Sequence, residues 1–284
     1  MTLDTEVLRS LALRDAAFDW DHARTALYAA SVGLGRDPAN IAEVNYVMDG
    51  GQQRALPSMA TVMTVNPFEQ DYGWQYAHML HGEQRLTLHR PVQPAMRMLA
   101  DFAVTHVHDK GIGKPALIIA RTDVRDRVSQ APLFSLSSTL VARADGGFQG
   151  PQDELPKLAP VPDRAPDLTD EANIRPEQAL VYRHNGDHNP LHYDPARARA
   201  AGFRKPVLHG LCTYGFACCA ILRTVCQYDS TLIRQLDARF TAPMYAGDTL
   251  VTEMWQTGET VAFRCRSAST GAVVLDAGFC RLAV

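Results

Sequence analysis

The chain has 284 residues, of which 46% are hydrophobic and 21% are charged, and its formal net charge is −3. This length is sufficient to bury a sizeable core, and the composition is ordinary for a globular protein. So small a net charge gives no strong attraction to nucleic acid or to an anionic membrane, and we expect neither as a partner.

No targeting or membrane segment is predicted. The N-terminal MTLDTEVLRS lacks a basic region followed by an apolar run, and no stretch approaches the roughly 20 apolar residues of a spanning helix. All six cysteines lie in the second half of the chain, without a CxxC pair. This pattern is typical of buried thiols in a reducing compartment, so we expect a cytoplasmic protein without disulfides or a zinc site.

The sequence of the first half predicts a short helix followed by antiparallel strands. Helix-forming residues occur at 23–35, and a strand-like stretch follows a proline-containing entry within 90–102. Apolar and polar residues then alternate at 116–125 and 133–143, as in half-buried antiparallel strands.

A proline-rich segment separates two predicted domains. Residues 151–168 contain five prolines, which neither continue a helix nor fit a central strand. We interpret this segment as an extended, semi-rigid linker between domains at 1–150 and 169–284.

The second half resembles the first. After a shift of 152 residues, 90–102 aligns with 242–254, and two strand-like runs follow at 260–268 and 272–283. Ahead of these strands, residues 208–226 are apolar nearly all round, so this helix is predicted to be buried against a curved sheet. The pattern predicts an α+β architecture of two hotdog-like halves side by side.

The stretch NGDHNPLHYDP, 185–195, contains the most reactive side chains. His184, His188 and His192 are spaced like a metal-binding helix face, but Gly186 and Pro190 break that helix, and no Glu or Cys completes a zinc site. We therefore predict no metal. A polar turn without further function is a second interpretation, because Asn, Gly, Asp and Pro are all turn formers.

A third interpretation is a site for proton transfer. The segments 176–183 and 195–202 hold the loop at both ends, so its side chains are expected to be positioned. Asp187 and His192 are suited to acid/base chemistry, and Asn189 can donate a hydrogen bond without titrating. Downstream, the Gly210 N–H at the start of the buried helix can stabilise an oxygen that gains negative charge.

Two motifs carry a resemblance to a known family. YRHNGDHNPLHYDP (182–195) followed by AGFRKPVLHGLCTYGF (201–216) resembles the (R)-specific enoyl-CoA hydratases, the MaoC-like hydratases that include a domain of peroxisomal multifunctional enzyme type 2. Shorter stretches at 80–84, 108–111, 134–136 and 238–243 are also similar to family segments. The resemblance implies a double hotdog with the catalytic motif in the second half and acyl-chain space in the non-catalytic first half.

The same resemblance implies roles for individual residues. Asp187 and His192 correspond to the catalytic pair, Asn189 to its hydrogen-bonding neighbour and Gly210 to the donor to the thioester oxygen. Asp49 stands where the family has a functionally important glutamate. The implied positions lining the acyl-CoA site are His81, Gly82, Lys110 and Phe240. For three of these we keep an alternative open: a buried polar contact for His81, a solvated turn for Lys110 and a core position for Phe240.

The predicted reaction is reversible hydration of a trans-2-enoyl-CoA to a (3R)-3-hydroxyacyl-CoA. Coenzyme A is then part of the substrate, no cofactor is needed, and the resemblance implies a homodimer. Alternatives are a hydratase for a branched or carboxylated, mesaconyl-type substrate, an acyl-CoA thioesterase, and a non-catalytic acyl-CoA-binding subunit.

Overall fold

The computed structural model of the chain describes residues 5–65, 79–143, 145–150 and 153–283. Its strands form one ten-stranded antiparallel sheet, and the helices lie before or between the strands. The strands are β1 (Ala12–Trp20), β2 (Met79–Leu88), β3 (Met96–Asp109), β4 (Ala116–Asp126), β5 (Pro132–Ala142), β6 (Leu168–Asn173), β7 (Ile233–Phe240), β8 (Thr249–Thr257), β9 (Thr260–Ser267) and β10 (Val273–Leu282). The helices are α1 (Thr5–Ser10), α2 (His22–Ser31), α3 (Ile41–Val47), α4 (Gln178–Tyr182), α5 (Pro195–Ala200) and α6 (Gly210–Thr224).

The order of strands repeats between the halves. Across the sheet the order is β1-β3-β4-β5-β2-β7-β10-β9-β8-β6, so five strands of each half follow the same sequence from edge to centre. The halves meet where β2 pairs with β7, from Glu83 opposite Arg239 to Thr87 opposite Gln235. The predicted α+β architecture, with two antiparallel halves side by side, is confirmed.

Helix α6 lies in the core that both halves share. Every residue from Cys212 to Leu222 is buried, as expected for a segment that is apolar on all sides. A Cβ at Gly215 would lie 2.6 Å from Cγ1 of Val32, so this glycine lets the end of α2 approach α6 closely. All six cysteines are buried and free, and burial raises the pKa of the Cys218 thiol to about 11.

The proline-rich segment lies against the sheet. Residues 151 and 152 are outside the described residues, and 153–167 contain neither helix nor strand before β6 begins at Leu168. Arg85 donates a hydrogen bond to the Pro156 carbonyl at 2.8 Å, and the Trp255 indole donates to the Arg164 carbonyl at 2.9 Å. The segment is therefore bound by strands of both halves. Within the described part of the chain, no helix combines the length and apolarity needed to cross a membrane.

Candidate active site

The loop between α4 and α5 is held by its own side chains. Gly186 has a φ of +123°, a conformation that only glycine adopts readily, and it turns the chain towards Asp187. The Asn189 side chain accepts a hydrogen bond from the Leu191 N–H at 3.0 Å, which caps the 3₁₀ turn Pro190–His192. Asp194 caps α5 by accepting from the Ala196 N–H at 2.7 Å. Asn189 is exposed, and its oxygen is used within the loop.

A buried asparagine fastens the loop to the first half of the chain. The Asn185 amide donates to the Ser31 hydroxyl and to the Tyr182 carbonyl, both at 2.8 Å. Ser31 is the last residue of α2, so the loop of the second half is anchored on a helix of the first. Asn185 is therefore a structural anchor.

The Asp187 carboxylate and the His192 ring face each other at a distance that one water molecule could bridge. The distance from Asp187 Oδ2 to His192 Nε2 is 4.0 Å. A water about 2.8 Å from both atoms would make an angle of about 90°, close to the angle that a water molecule prefers. The Asp187 side chain is 35% exposed and that of His192 is 10% exposed, so the gap is accessible from the Asp187 side.

The protonation of His192 follows from its neighbours. Nδ1 lies 2.9 Å from the Val207 carbonyl, which can only accept, so Nδ1 carries the proton. Burial lowers the pKa of His192, although the Asp187 carboxylate and the Val207 carbonyl act in the opposite direction. The ring is therefore neutral near pH 7, with the Nε2 lone pair facing Asp187.

The Gly210 amide lies at the beginning of α6. The N–H groups of Cys212 and Thr213 donate to the His209 carbonyl at 3.1 and 3.2 Å, so the Gly210 amide precedes the first hydrogen bonds of the helix. A Cβ at Gly210 would lie 3.1 Å from Cε1 of Phe240. The phenyl ring therefore packs directly against the glycine, and the helix N-terminus favours negative charge there.

His81 and Gly82 lie next to Phe240, the residue that packs against Gly210. The His81 and Phe240 rings are 4.8 Å apart, and His81 Nε2 lies 3.1 Å from the Glu83 carbonyl. The pairing of β2 with β5 shifts register here, and a Cβ at Gly82 would lie only 2.7 Å from Val141. Burial lowers the pKa of His81 to about 4, against the charge of Asp187. His81 is thus a neutral ring with a polar partner, close enough to Asp187 to be affected by its charge.

Two predicted substrate residues are exposed on the surface of the protein. Lys110 is exposed in the turn between β3 and β4. Asp49 is exposed at a surface pocket with Asp21 and His22, where α2 begins. The loop anchor at Ser31 is at the other end of this ten-residue helix, about 15 Å away. The roles of Lys110 and Asp49 stay predictions.

His209, which was not among the predicted site residues, contacts both Asp187 and His192. This residue is fully buried, and its Nε2 lies 3.2 Å from the Asp187 carbonyl. Its ring stacks on that of His192 with centroids 3.7 Å apart. The available signal was a histidine at a helix N-cap, where Ser, Thr, Asp or Asn is usual.

The structure gives a different set of candidate metal ligands from the one considered in the sequence. One donor atom each from Asp187, His192 and His209 lie within 4.8 Å of one another. His184 and His188 are exposed and do not belong to this set. Dialysis of the protein against a chelator tests whether these three residues hold an ion.

Comparison with known proteins covers both halves of the chain. Residues 157–277 match the family model described as MaoC like domain, and residues 18–144 match the one described as MFE-2 hydratase 2 N-terminal domain. The chain is 39% identical over 280 residues to the 3-hydroxyacyl-thioester dehydratase Y of Mycobacterium tuberculosis, and the aligned region covers 92% of each protein. It is 36% identical over 285 residues to the enoyl-CoA hydratase ChsH3 of the same organism, which covers 97% of this chain and 98% of the relative.

Solved structures agree with these matches. A MaoC-like dehydratase from Phytophthora capsici superposes with a TM-score of 0.85 at 28% identity, covering 98% of this chain and 97% of that one. A Mycobacterium tuberculosis protein described as a double hotdog superposes with a TM-score of 0.64 at 14% identity, covering 98% and 97%. The predicted double hotdog fold is confirmed.

Proposed function

Because the chain belongs to the MaoC-like enoyl-CoA hydratase 2 family, we propose that it adds water reversibly to a trans-2-enoyl-CoA to give a (3R)-3-hydroxyacyl-CoA. One observation carries the assignment to these residues. Asp187 Oδ2 and His192 Nε2 stand 4.0 Å apart, a spacing that suits one shared water. The Gly210 amide near this gap supplies the donor for an oxygen that gains charge.

The reaction can be written with groups of the chain and water alone. The water held between Asp187 and His192 gives one proton to the pair while its oxygen bonds to C3 of the enoyl group. The electrons of the C2–C3 double bond move towards the thioester carbonyl, whose oxygen accepts a hydrogen bond from the Gly210 N–H. The pair then returns one proton to C2 on the same face, so that one water is added in total. In the reverse direction the same groups remove it.

We propose that the substrate binds at the seam between the halves. His81 and Gly82 on β2 belong to the first half, whereas Phe240 on β7 belongs to the second, and these strands are paired. We assign catalysis to residues 169–284 and the acyl chain to residues 1–150, with 151–168 as the linker. Asn189, Lys110 and Asp49 remain proposed contacts, and Lys110 is the one that would offer a cation to the phosphates of CoA.

No cofactor is proposed, because each proton transfer has a donor and an acceptor among the residues named. We also propose a homodimer, on the family resemblance, and a cytoplasmic location, which the six free, buried cysteines favour. Light scattering of the purified protein tests the dimer.

The function is tested by incubating the purified chain with a panel of straight-chain, branched and carboxylated enoyl-CoAs. Loss of the enoyl absorbance, with (R) configuration of the hydroxyacyl product, is expected. Release of free thiol without loss of the double bond would show a thioesterase instead. Binding of the substrates without any turnover would show a non-catalytic acyl-CoA-binding protein.

A further inference from the structure

We propose that His209 is a positioning residue that fixes both members of the catalytic pair. The inference rests on the proposed hydration. It concerns a side chain that does not itself touch the substrate in this scheme, because the Nε2 atom of His209 is directed at the protein main chain.

The first contact fixes the backbone of Asp187. His209 Nε2 lies 3.2 Å from the Asp187 carbonyl oxygen, which can only accept a hydrogen bond. His209 therefore carries its proton on Nε2 and donates it. Asp187 follows directly after Gly186, whose φ is +123°, so this bond restrains the main chain next to a residue with wide conformational freedom.

The second contact fixes the ring of His192. The two imidazoles stack with centroids 3.7 Å apart and planes inclined by 29°. Val207 holds the His192 ring through Nδ1, and the His209 ring covers its face. Together these contacts set the direction of the Nε2 lone pair that faces the shared water, and productive proton transfer depends on that direction.

The third contact links the pair to the oxyanion donor. His209 is the N-cap residue of α6, and its carbonyl accepts from the amides of Cys212 and Thr213. Gly210 follows directly in the chain. One residue therefore connects the backbone of Asp187, the ring of His192 and the helix end that carries the Gly210 amide.

The surroundings of His209 require a neutral ring. The residues that face it are His192, Asp187, the guanidinium of Arg183 and the ring of Tyr182, whose centroid is 4.9 Å away. Its Nδ1 is buried and has no hydrogen-bond partner among the described residues, so a second proton would have no acceptor. Burial and the neighbouring His192 lower the pKa of His209 to about 3, although the Asp187 carboxylate acts against them.

A pair of substitutions of similar size separates positioning from packing. In His209→Gln the side-chain amide can donate to the Asp187 carbonyl in place of Nε2, whereas in His209→Met no donor remains. We expect the kcat of His209→Gln to exceed that of His209→Met by about tenfold or more, with KM changed by less than about threefold. Thermal unfolding of both variants is measured alongside, so that a loss of kcat caused by unfolding is recognised.

The comparison of kcat between the two folded variants is decisive. A purely structural role would give both folded variants the same kcat, so equal activity of the two variants, or higher activity of His209→Met, would overturn the proposal. Parental activity in both variants would overturn it as well.

A second measurement uses the unaltered protein and needs no substrate. Nitrogen-15 NMR of histidine-labelled chain is expected to show two histidines, His81 and His209, that keep the neutral Nε2–H form from about pH 8 down to about pH 5, and one of these two signals is expected to be lost in His209→Gln. A His209 that carries its proton on Nδ1, or that becomes doubly protonated in this range, would contradict the inference. Failure of the parent to hydrate any enoyl-CoA would instead refute the proposed function and leave this result intact.

Discussion

Replacement of Asp187 by Asn is the most direct test of the site. The substitution keeps the shape of the side chain and one oxygen, which can still accept from the Asn189 N–H as Asp187 does at 3.2 Å. It removes the negative charge and the ability to take a proton from the water shared with His192. The fold should therefore survive while the proton transfer fails.

The size of the effect follows from the role of the lost group. Acid–base catalysis by a positioned side chain contributes about 10²- to 10⁴-fold, or about 3 to 5 kcal/mol in the activation free energy. The free energy of unfolding should change by less than about 1 kcal/mol, because this partly exposed carboxylate keeps the hydrogen bond that it accepts from the Asn189 N–H. The pKa of His192 should fall further, since the carboxylate is what raises it against the effect of burial.

The assay is the initial rate of enoyl-CoA hydration, with thermal unfolding of the same sample. Asp194→Asn is the matched control: it is the same change in the same loop, and Asn caps a helix as well as Asp does. Its kcat should stay within about twofold of the parent. Should Asp187→Asn keep more than about a tenth of the parent kcat, proton transfer by Asp187 is refuted.

Three further predictions concern the helix end, pH and metal. Gly210→Ala places a Cβ 3.1 Å from the Phe240 ring and should lower kcat/KM by about 10- to 100-fold. Gly51→Ala is the control: no atom lies within 4 Å of the added Cβ, so kcat/KM should stay unchanged. The free energy of unfolding should decrease as pH falls below about 6.5, because burial disfavours the protonated forms of His81, His192 and His209 in the folded chain, whereas the unfolded chain binds these protons. Chemical unfolding at several pH values measures this dependence. A free energy of unfolding that does not change with pH in this range would contradict the prediction. Dialysis against a chelator should leave kcat unchanged; a loss that zinc restores would show that Asp187, His192 and His209 hold an ion.

Four of the strands were predictable because their signal is local. In β4, β5, β9 and β10 the alternation of apolar and polar residues indicates one face against the core. The central strands β2 and β7 were not assigned from this pattern. In β2 the buried face includes Gln84, and in β7 Asp237 is buried, so polar residues interrupt the alternation. Their pairing also joins segments that are far apart in sequence.

The loop of the site was predictable for the same reason, whereas its surroundings were not. Asn189, Gly186 and Asp194 fix the turn through contacts a few residues away, so the motif contains most of its own geometry. His209 reaches Asp187 across 22 positions, and Asn185 reaches Ser31 across 154. Such contacts depend on how the halves pack, so they cannot be predicted from the motif alone.

The pairing of β2 with β7 has a consequence for how such a protein can be encoded. The sheet, the shared core and the bond from Asn185 to Ser31 all join the halves without using the chain between them. The proline-rich segment connects the two halves covalently, but the contacts that hold one half against the other are noncovalent. The same architecture is therefore compatible with two separate genes, each encoding one half, whose products would meet along the central strands and form the site at their boundary.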